Sequence, residues 1–580
     1  MTLQGRRTVD FGPWGRAVAL FAAIVVTGCA NAGPTGSETA AATAPEPASS
    51  GLGAYLAGRV AETEQDYDSA ADYMMRALAD DPQNPALLES ALKLLIGAGR
   101  VAEARDVAGR LVEIDPRSAG AQIVLALGDL DQGRYDEAER RLADVPAQGL
   151  NSFVVPTIRA WIASAKGEPD RALATLGPVG GQQGFEAVYQ LNVGLINDVA
   201  GRPQPAEEAF AKALASAETP PFRLVQIAGG FYERTGRTDK AREVYQRFSE
   251  ANQGSALIEP ILERAAVGQS PEAVVADASD GVAESLFNLA SALYQERLLE
   301  PALLYTRLAL DLRPDLAVAQ ILLGDLLDAD ERHSEAAAAY RAVASNSPFY
   351  WAARLRAAES LAKQQRTDEA IGELDQLSEE RPDRADALIQ QGNLLRGEER
   401  FPEAVDAYDR ALQRIGKPDR RHWTLLYFRG VALQRSDEWT RAEQDFLKAL
   451  ELQPDEPHVL NYLAYSWVEM GQNYDRALDM LAKAVALKPE DGFIVDSLGW
   501  VFYRLGRYDE AVTELERAIE LRPQDPVIND HLGDAYWKVG RHHEARYQWQ
   551  RALSFEPEAD QVQPIQVKLE RGLSGSPSGG

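Results

Sequence analysis

A few places in this sequence hold residue types that do chemistry, and each fails a test of spacing. His543-Glu544 opens the H-E-x-x-H pattern, in which two histidines on one helix face hold zinc and the glutamate acts as base. Position 547 is Tyr547, so the second ligand is missing. His531, His542 and His543 fall near one turn, but no carboxylate framework joins them, and three such side chains read as solvated. The glycine-rich stretch from Gly177 to Gly184 lacks the Lys-Ser/Thr ending of a phosphate loop and follows no strand pattern, so it reads as a connection. No G-x-S-x-G elbow is present. Acidic residues abound in runs such as Thr513–Leu521, where they read as a solvated helix face. The expectation is a protein that is not an enzyme and holds no metal or cofactor.

Composition narrows the function classes further. Across 580 residues, 60 Lys and Arg stand against 88 Asp and Glu, a net charge of −28. Such a chain repels phosphate backbones and carries no basic run, so a nucleic-acid partner is not expected. With 45% hydrophobic and 26% charged residues it is globular in type. The one cysteine, Cys29, can form neither an internal disulfide nor a cysteine zinc site.

That cysteine has a telling position. Arg6, Arg7 and Arg16 form a basic start, Ala17–Thr27 is an apolar run of 11 residues, and Val26-Thr27-Gly28-Cys29 follows. The run is too short to span a bilayer and has the length of a secretory signal. The segment resembles a bacterial lipobox, which implies that residues 1–28 are a removed signal peptide and that Cys29 is lipidated. Ala30 stands where an aspartate would mark retention in the inner membrane, so the resemblance implies the periplasmic face of the outer membrane. Without residues 1–28 the chain has 57 basic and 87 acidic residues, net −30. Residues 29–50, rich in Ala, Pro, Ser and Thr, then read as a flexible tether.

The remainder repeats. Gly499 and Gly533, Ala511 and Ala545, Ala518 and Ala552, and Pro523 and Pro557 are each 34 residues apart. The register continues backward through Gly430, Ala442, Phe446 and Ala449; Gly392, Ala404, Tyr408 and Ala411; and Ala358, Ala370 and Leu374. It goes on through Gly324, Ala336 and Tyr340, then Ala290, Ala302 and Ala309, and reaches Gly58, Ala70 and Ala77 near the front. Small residues at fixed places let two helices approach closely, Gly506 and Gly540 suit a left-handed turn between them, and the proline stops the second helix. The pattern resembles the tetratricopeptide repeat, a helix–turn–helix unit of this length. The resemblance implies an all-α fold, a right-handed superhelical solenoid, with about fourteen units between residues 51 and 559. Units at 51–254 and 283–559 flank a degenerate joint at 255–282, in which a helix starts near Ser255. Residues 145–186 look loose, and one residue is inserted near Asn473. A capping helix is expected at 560–573 and a disordered tail at 574–580.

The elements that could present a binding site are the first helices of the last units. Asp496, Trp500 and Tyr503 share one face, while Leu498 and Phe502 lie about 200° around the helix and fill the core. The next unit repeats this with Asp530, Asp534 and Trp537 against Leu532 and Tyr536, and the previous one with Asn461, Tyr465 and Val468 against Leu463 and Trp467. Arg504 and Lys538 flank the row with positive charge. In tetratricopeptide proteins that face lines a concave groove, and aromatics beside polar groups suit a peptide. The alternative is that Trp500 and Trp537 pack between neighbouring first helices.

Residues 458–556 also resemble the C-terminal block of a proteobacterial family of tetratricopeptide lipoproteins, which includes the LbcA-like and NlpI-like protease adaptors. That resemblance implies a lipid-anchored, non-enzymatic scaffold whose partners are proteins, among them a carboxy-terminal-processing protease and its cell-wall hydrolase substrates. The competing reading is an assembly lipoprotein of an outer-membrane export machine for exopolysaccharide or pili.

Overall fold

The structure, a computed structural model, describes residues 50–573 apart from 182–183, 253–254 and 256. The signal segment, Cys29, nearly all of the tether and the tail at 574–580 lie outside the described residues. Six helix pairs come first. They are α1 (Gly51–Thr63) with α2 (Tyr67–Asp80), α3 (Pro85–Gly97) with α4 (Val101–Ile114), α5 (Ala119–Asp131) with α6 (Tyr135–Leu142), α7 (Asn151–Ala165) with α8 (Pro169–Gly180), α9 (Glu186–Val199) with α10 (Pro203–Ala215), and α11 (Phe222–Arg234) with α12 (Thr238–Ala251). A short α13 (Glu259–Ala266) follows. Eight further pairs are α14 (Ala278–Gln295) with α15 (Leu299–Leu312), α16 (Ala317–Ala329) with α17 (His333–Arg341), α18 (Tyr350–Lys363) with α19 (Thr367–Glu380), α20 (Asp386–Gly397) with α21 (Phe401–Ile415), α22 (Trp423–Arg435) with α23 (Trp439–Leu452), α24 (Pro457–Glu469) with α25 (Tyr474–Leu487), α26 (Gly492–Arg504) with α27 (Tyr508–Leu521), and α28 (Pro526–Lys538) with α29 (His542–Ser554). A last helix, α30 (Ala559–Arg571), ends the described chain. No strand occurs among the described residues, so the fold is an all-α solenoid.

Each pair is built the same way. At the α26–α27 turn, Gly506 has φ +75°, its N–H donates to the Tyr503 carbonyl (3.0 Å), and the Arg507 N–H donates to that of Phe502 (2.9 Å). These two bonds satisfy the carbonyls a helix end leaves open. Arg507 then pairs with Glu510, in the first turn of the second helix, where a carboxylate suits the helix dipole. Arg366–Glu369 and Arg400–Glu403 repeat the device at 2.6 Å. In several pairs a glycine of the first helix lies under a ring of the second. A Cβ on Gly392 would come 2.4 Å from the Tyr408 ring, and one on Gly533 would come 2.5 Å from that of Trp549. Gly392→Ala therefore forces the buried Tyr408 to move and should destabilise the α20–α21 pair and its neighbours by about 1–3 kcal/mol, read as a lower urea midpoint.

Some turns lack the glycine. Glu331 (φ +61°) and Glu399 (φ +57°) hold the left-handed conformation with exposed side chains. That conformation costs an L-residue about 1–2 kcal/mol, part of which glycine returns to the more flexible unfolded chain. Glu331→Gly and Glu399→Gly should each stabilise by about 0.5–1 kcal/mol in urea denaturation; a lower midpoint would contradict this reading of the turns.

Several boundaries differ from the sequence expectation. Residues 145–186 hold a regular pair, α7 and α8. Their pattern is blurred because Pro156 and Pro178 sit inside the helices. The helix expected near Ser255 starts at Glu259, where Pro260 presets the first turn. The insertion near Asn473 is absorbed by a second left-handed residue, Asn473 (φ +51°), after Gly471 (φ +71°). The chain divides into two compact units, residues up to Ala370 (unit 1) and from Ile371 (unit 2).

Candidate functional site

All ten singled-out residues lie on three consecutive first helices of unit 2. Asn461 and Tyr465 are on α24; Asp496, Trp500, Tyr503 and Arg504 on α26; and Asp530, Asp534, Trp537 and Lys538 on α28. The residues expected on the opposite side do fill the core: Leu463, Trp467 and Leu532 are fully buried, Leu498 and Tyr536 nearly so, and Phe502 partly.

Polar side chains join each of these helices to the next. The Trp500 indole N–H donates to Glu469 Oε1 (2.6 Å), and Arg504 reaches the same oxygen at 3.2 Å. His531 Nδ1 lies 3.0 Å from both oxygens of Asp496, and the ring stacks on Trp500, centroids 4.0 Å apart and planes within 12°. Tyr503 stacks on the same indole at 4.7 Å. Burial lowers the His531 pKa, but the carboxylates of Asp496, Asp530 and Asp534 together outweigh it and raise it above the ordinary value.

The last rung is closed by the capping helix. Lys568 of α30 puts its ammonium 2.7 Å from Asp530 Oδ2 and 2.9 Å from Asp534 Oδ2, and the Trp549 N–H donates to Asp534 Oδ1 (3.0 Å). Burial, then the Asp530 charge, pushes Asp534 up to about 6, against the opposing pull of Lys568. Trp537 is used in packing: it lies 4.2 Å from His542 and 5.4 Å from Trp549, with Arg546 over the ring and Gly572 against its edge. Lys538 faces the α26–α27 turn, from Gly506 to Glu510, in a shallow hollow beside the row.

What remains for a ligand lies toward α24 and α26. The Asn461 Oδ1 atom is buried without a hydrogen-bond partner among the described residues. Burial, followed by the charges of Glu469 and Asp496, pushes the Tyr465 hydroxyl far above its usual range; burial and Asp534 do the same for Tyr503. Both phenols stay neutral donors. Tyr503 lies on the half-buried Trp500 ring, which serves packing on its stacked faces and still meets solvent. Glu469, His531, Trp549 and Lys568 complete the arrangement and were not in the expected set. A signal for three of them was present: Arg504 follows Glu469 by 35 residues, His531 follows Asp496 by 35 and Lys568 follows Asp534 by 34, so opposite charges recur one repeat apart. Among the described residues no cluster of His, Cys, Asp and Glu is arranged to hold a metal ion.

Models of the tetratricopeptide repeat match residues 62–127, 95–155, 321–385, 355–421, 389–457 and 427–492, and a TPR repeat model matches 499–540. A relative in Pseudomonas aeruginosa, TPR repeat-containing protein PA4667, is 29% identical over 190 residues, 33% of this chain. The chain matches 31% of that relative's length. Among solved structures, the Cut9–Hcn1 hetero-tetramer of the APC/C has a chain 16% identical, with 91% of this chain and 97% of that chain covered and a TM-score of 0.36. Yeast Tom70 is 13% identical, with 90% and 95% covered and a TM-score of 0.32.

Proposed function

Because the chain is a tetratricopeptide repeat protein, we propose that it is a non-enzymatic scaffold that captures protein partners on the first-helix face of unit 2. One observation carries this reading. Asn461 Oδ1 on α24 is buried without a partner among the described residues, and the Tyr465 and Tyr503 hydroxyls stay neutral on α24 and on α26, the first helix that carries the Trp500 stack. A peptide needs that combination, ring area for its side chains and donors and acceptors for its backbone. The finer reading is a lipoprotein, tethered through Cys29 at the periplasmic face of the outer membrane, that brings a carboxy-terminal-processing protease to cell-wall hydrolases. The signal-like start, the lone cysteine and the resemblance of residues 458–556 support it. Confinement to a surface would raise the effective concentration of protease and substrate with no new contact.

The test is a crosslinked pull-down from membranes that compares the native chain with Tyr465→Ala/Trp500→Ala. Loss of two anchor rings should reduce capture of a processing protease by about tenfold or more, while circular dichroism keeps the helical signal. Equal capture by a still-helical variant contradicts the groove. Capture of an export barrel and synthase in place of a protease contradicts the adaptor role.

A further inference from the structure

In unit 1 the corresponding face is not open. Trp161 follows Ala160 as Trp500 follows Gly499, so the two tryptophans hold one repeat position. Trp500 is half-buried, whereas Trp161 is fully buried. What covers it is the chain itself. After α13 the chain turns back, and α14 and α15 lie along the side lined by the first helices α3, α5, α7 and α9.

Within a largely apolar packing, specific polar contacts fix the place of α14. The Trp161 indole N–H donates to Asn192 Oδ1 (3.0 Å), and the Ser285 hydroxyl of α14 lies 2.7 Å from the same oxygen. Gly281 lets α14 approach: a Cβ there would come 2.3 Å from the Trp161 ring. One turn on, Glu284 is fully buried, and Arg223 of α11, 61 residues away, grips it with Nε 3.1 Å from Oε1 and Nη2 2.6 Å from Oε2. Gln226 Oε1 holds the other arm of that guanidinium at 2.8 Å. Farther along, Arg307 of α15 donates to the Gly97 carbonyl at 3.3 Å, and Asp311 pairs with Arg105 of α4. These bonds reach across 206 and 210 residues, so none belongs to the nearest-neighbour packing that builds a repeat array.

The geometry assigns to unit 1 a helix-binding groove whose occupant is the chain's own α14. Its ligand is an α-helix with glycine, glutamate and serine at the spacing of Gly281, Glu284 and Ser285: glycine for close approach, a carboxylate for Arg223, and a hydroxyl for Asn192. Partner capture therefore falls to unit 2 and not to the first-helix side of unit 1.

The experiment is hydrogen exchange on the full chain, with a labelled peptide of the sequence 278–295 as probe. In the native chain α14 should be protected and the peptide should not bind. Glu284→Arg places two cations at one buried point; protection of α14 should fall at least about tenfold and the variant should take up the peptide. Equal uptake by the native chain overturns the inference, as does failure to bind by a variant whose α14 has opened. If Glu284→Arg loses helicity throughout unit 1, the double variant Arg223→Glu/Glu284→Arg decides. Recovery of α14 protection supports the groove; no recovery overturns it.

Discussion

Replacing Trp549 with alanine should destabilise unit 2 by about 3–5 kcal/mol and melt its last layer first. The side chain is fully buried, lies over Gly533, contacts Trp537 and donates to Asp534. Truncation leaves a cavity that Gly533 cannot fill and strips Asp534 of its indole donor. Repeat arrays take their stability from neighbours, and beyond this layer only α30 remains among the described residues. The loss should therefore appear in α28, α29 and α30 before α20–α25. Trp549→Phe keeps most of the ring and loses the donor, so it should cost about 1–3 kcal/mol. Hydrogen exchange by segment, with a urea midpoint, checks both. A loss under 1 kcal/mol, or one spread evenly over unit 2, would show that the ring does not hold this layer.

The same layer should weaken as pH rises. Asp534 is shifted from 3.8 to about 6, so between those values the folded chain binds a proton that the unfolded chain has released. Its contribution is present at low pH and is lost as pH rises from about 4 to 6, worth about 2–3 kcal/mol at a little over 1 kcal/mol per pH unit. His531 acts in the same direction. Its folded pKa is raised above 6.5, so the stability it adds is complete below 6.5 and is lost as pH climbs through the raised value. Asp496 faces His531, and Asp530 and Lys568 face Asp534. Unfolding of the C-terminal layer should thus need more urea at pH 5 than at pH 8, and Asp534→Asn should flatten most of the slope below pH 6. A layer that gains stability from pH 5 to pH 8 would reverse the assignment.

Much of this was legible before any coordinates. Small residues 34 apart mark where helices touch, and Gly506 and Gly540 mark left-handed turns, because those constraints are local and repeat. Positions such as Glu331 and Glu399 hide the same turn, since neighbouring packing holds them in a conformation their residue type disfavours. The course of α14 was not legible. Its grip on unit 1 rests on Glu284 meeting Arg223, a contact outside the repeat period, and its approach rests on Gly281, which looks like any helix glycine. In the C-terminal row the shared face was readable from spacing, but its division of labour was not. His531 read as solvated and is instead buried against Asp496, because that partner depends on how neighbouring first helices align. Trp537 looked equivalent to Trp500, but its edge is taken up by Gly572, just after α30.

The central claim is that partners dock on the first-helix face of unit 2. It is tested most directly by a photoreactive phenylalanine analogue placed in cells at Tyr465, compared with the same group at Tyr547, an exposed ring on the second helix α29. The account predicts a crosslinked processing protease from position 465 and none from 547. Crosslinks to that protease from 547, with none from 465, would contradict it.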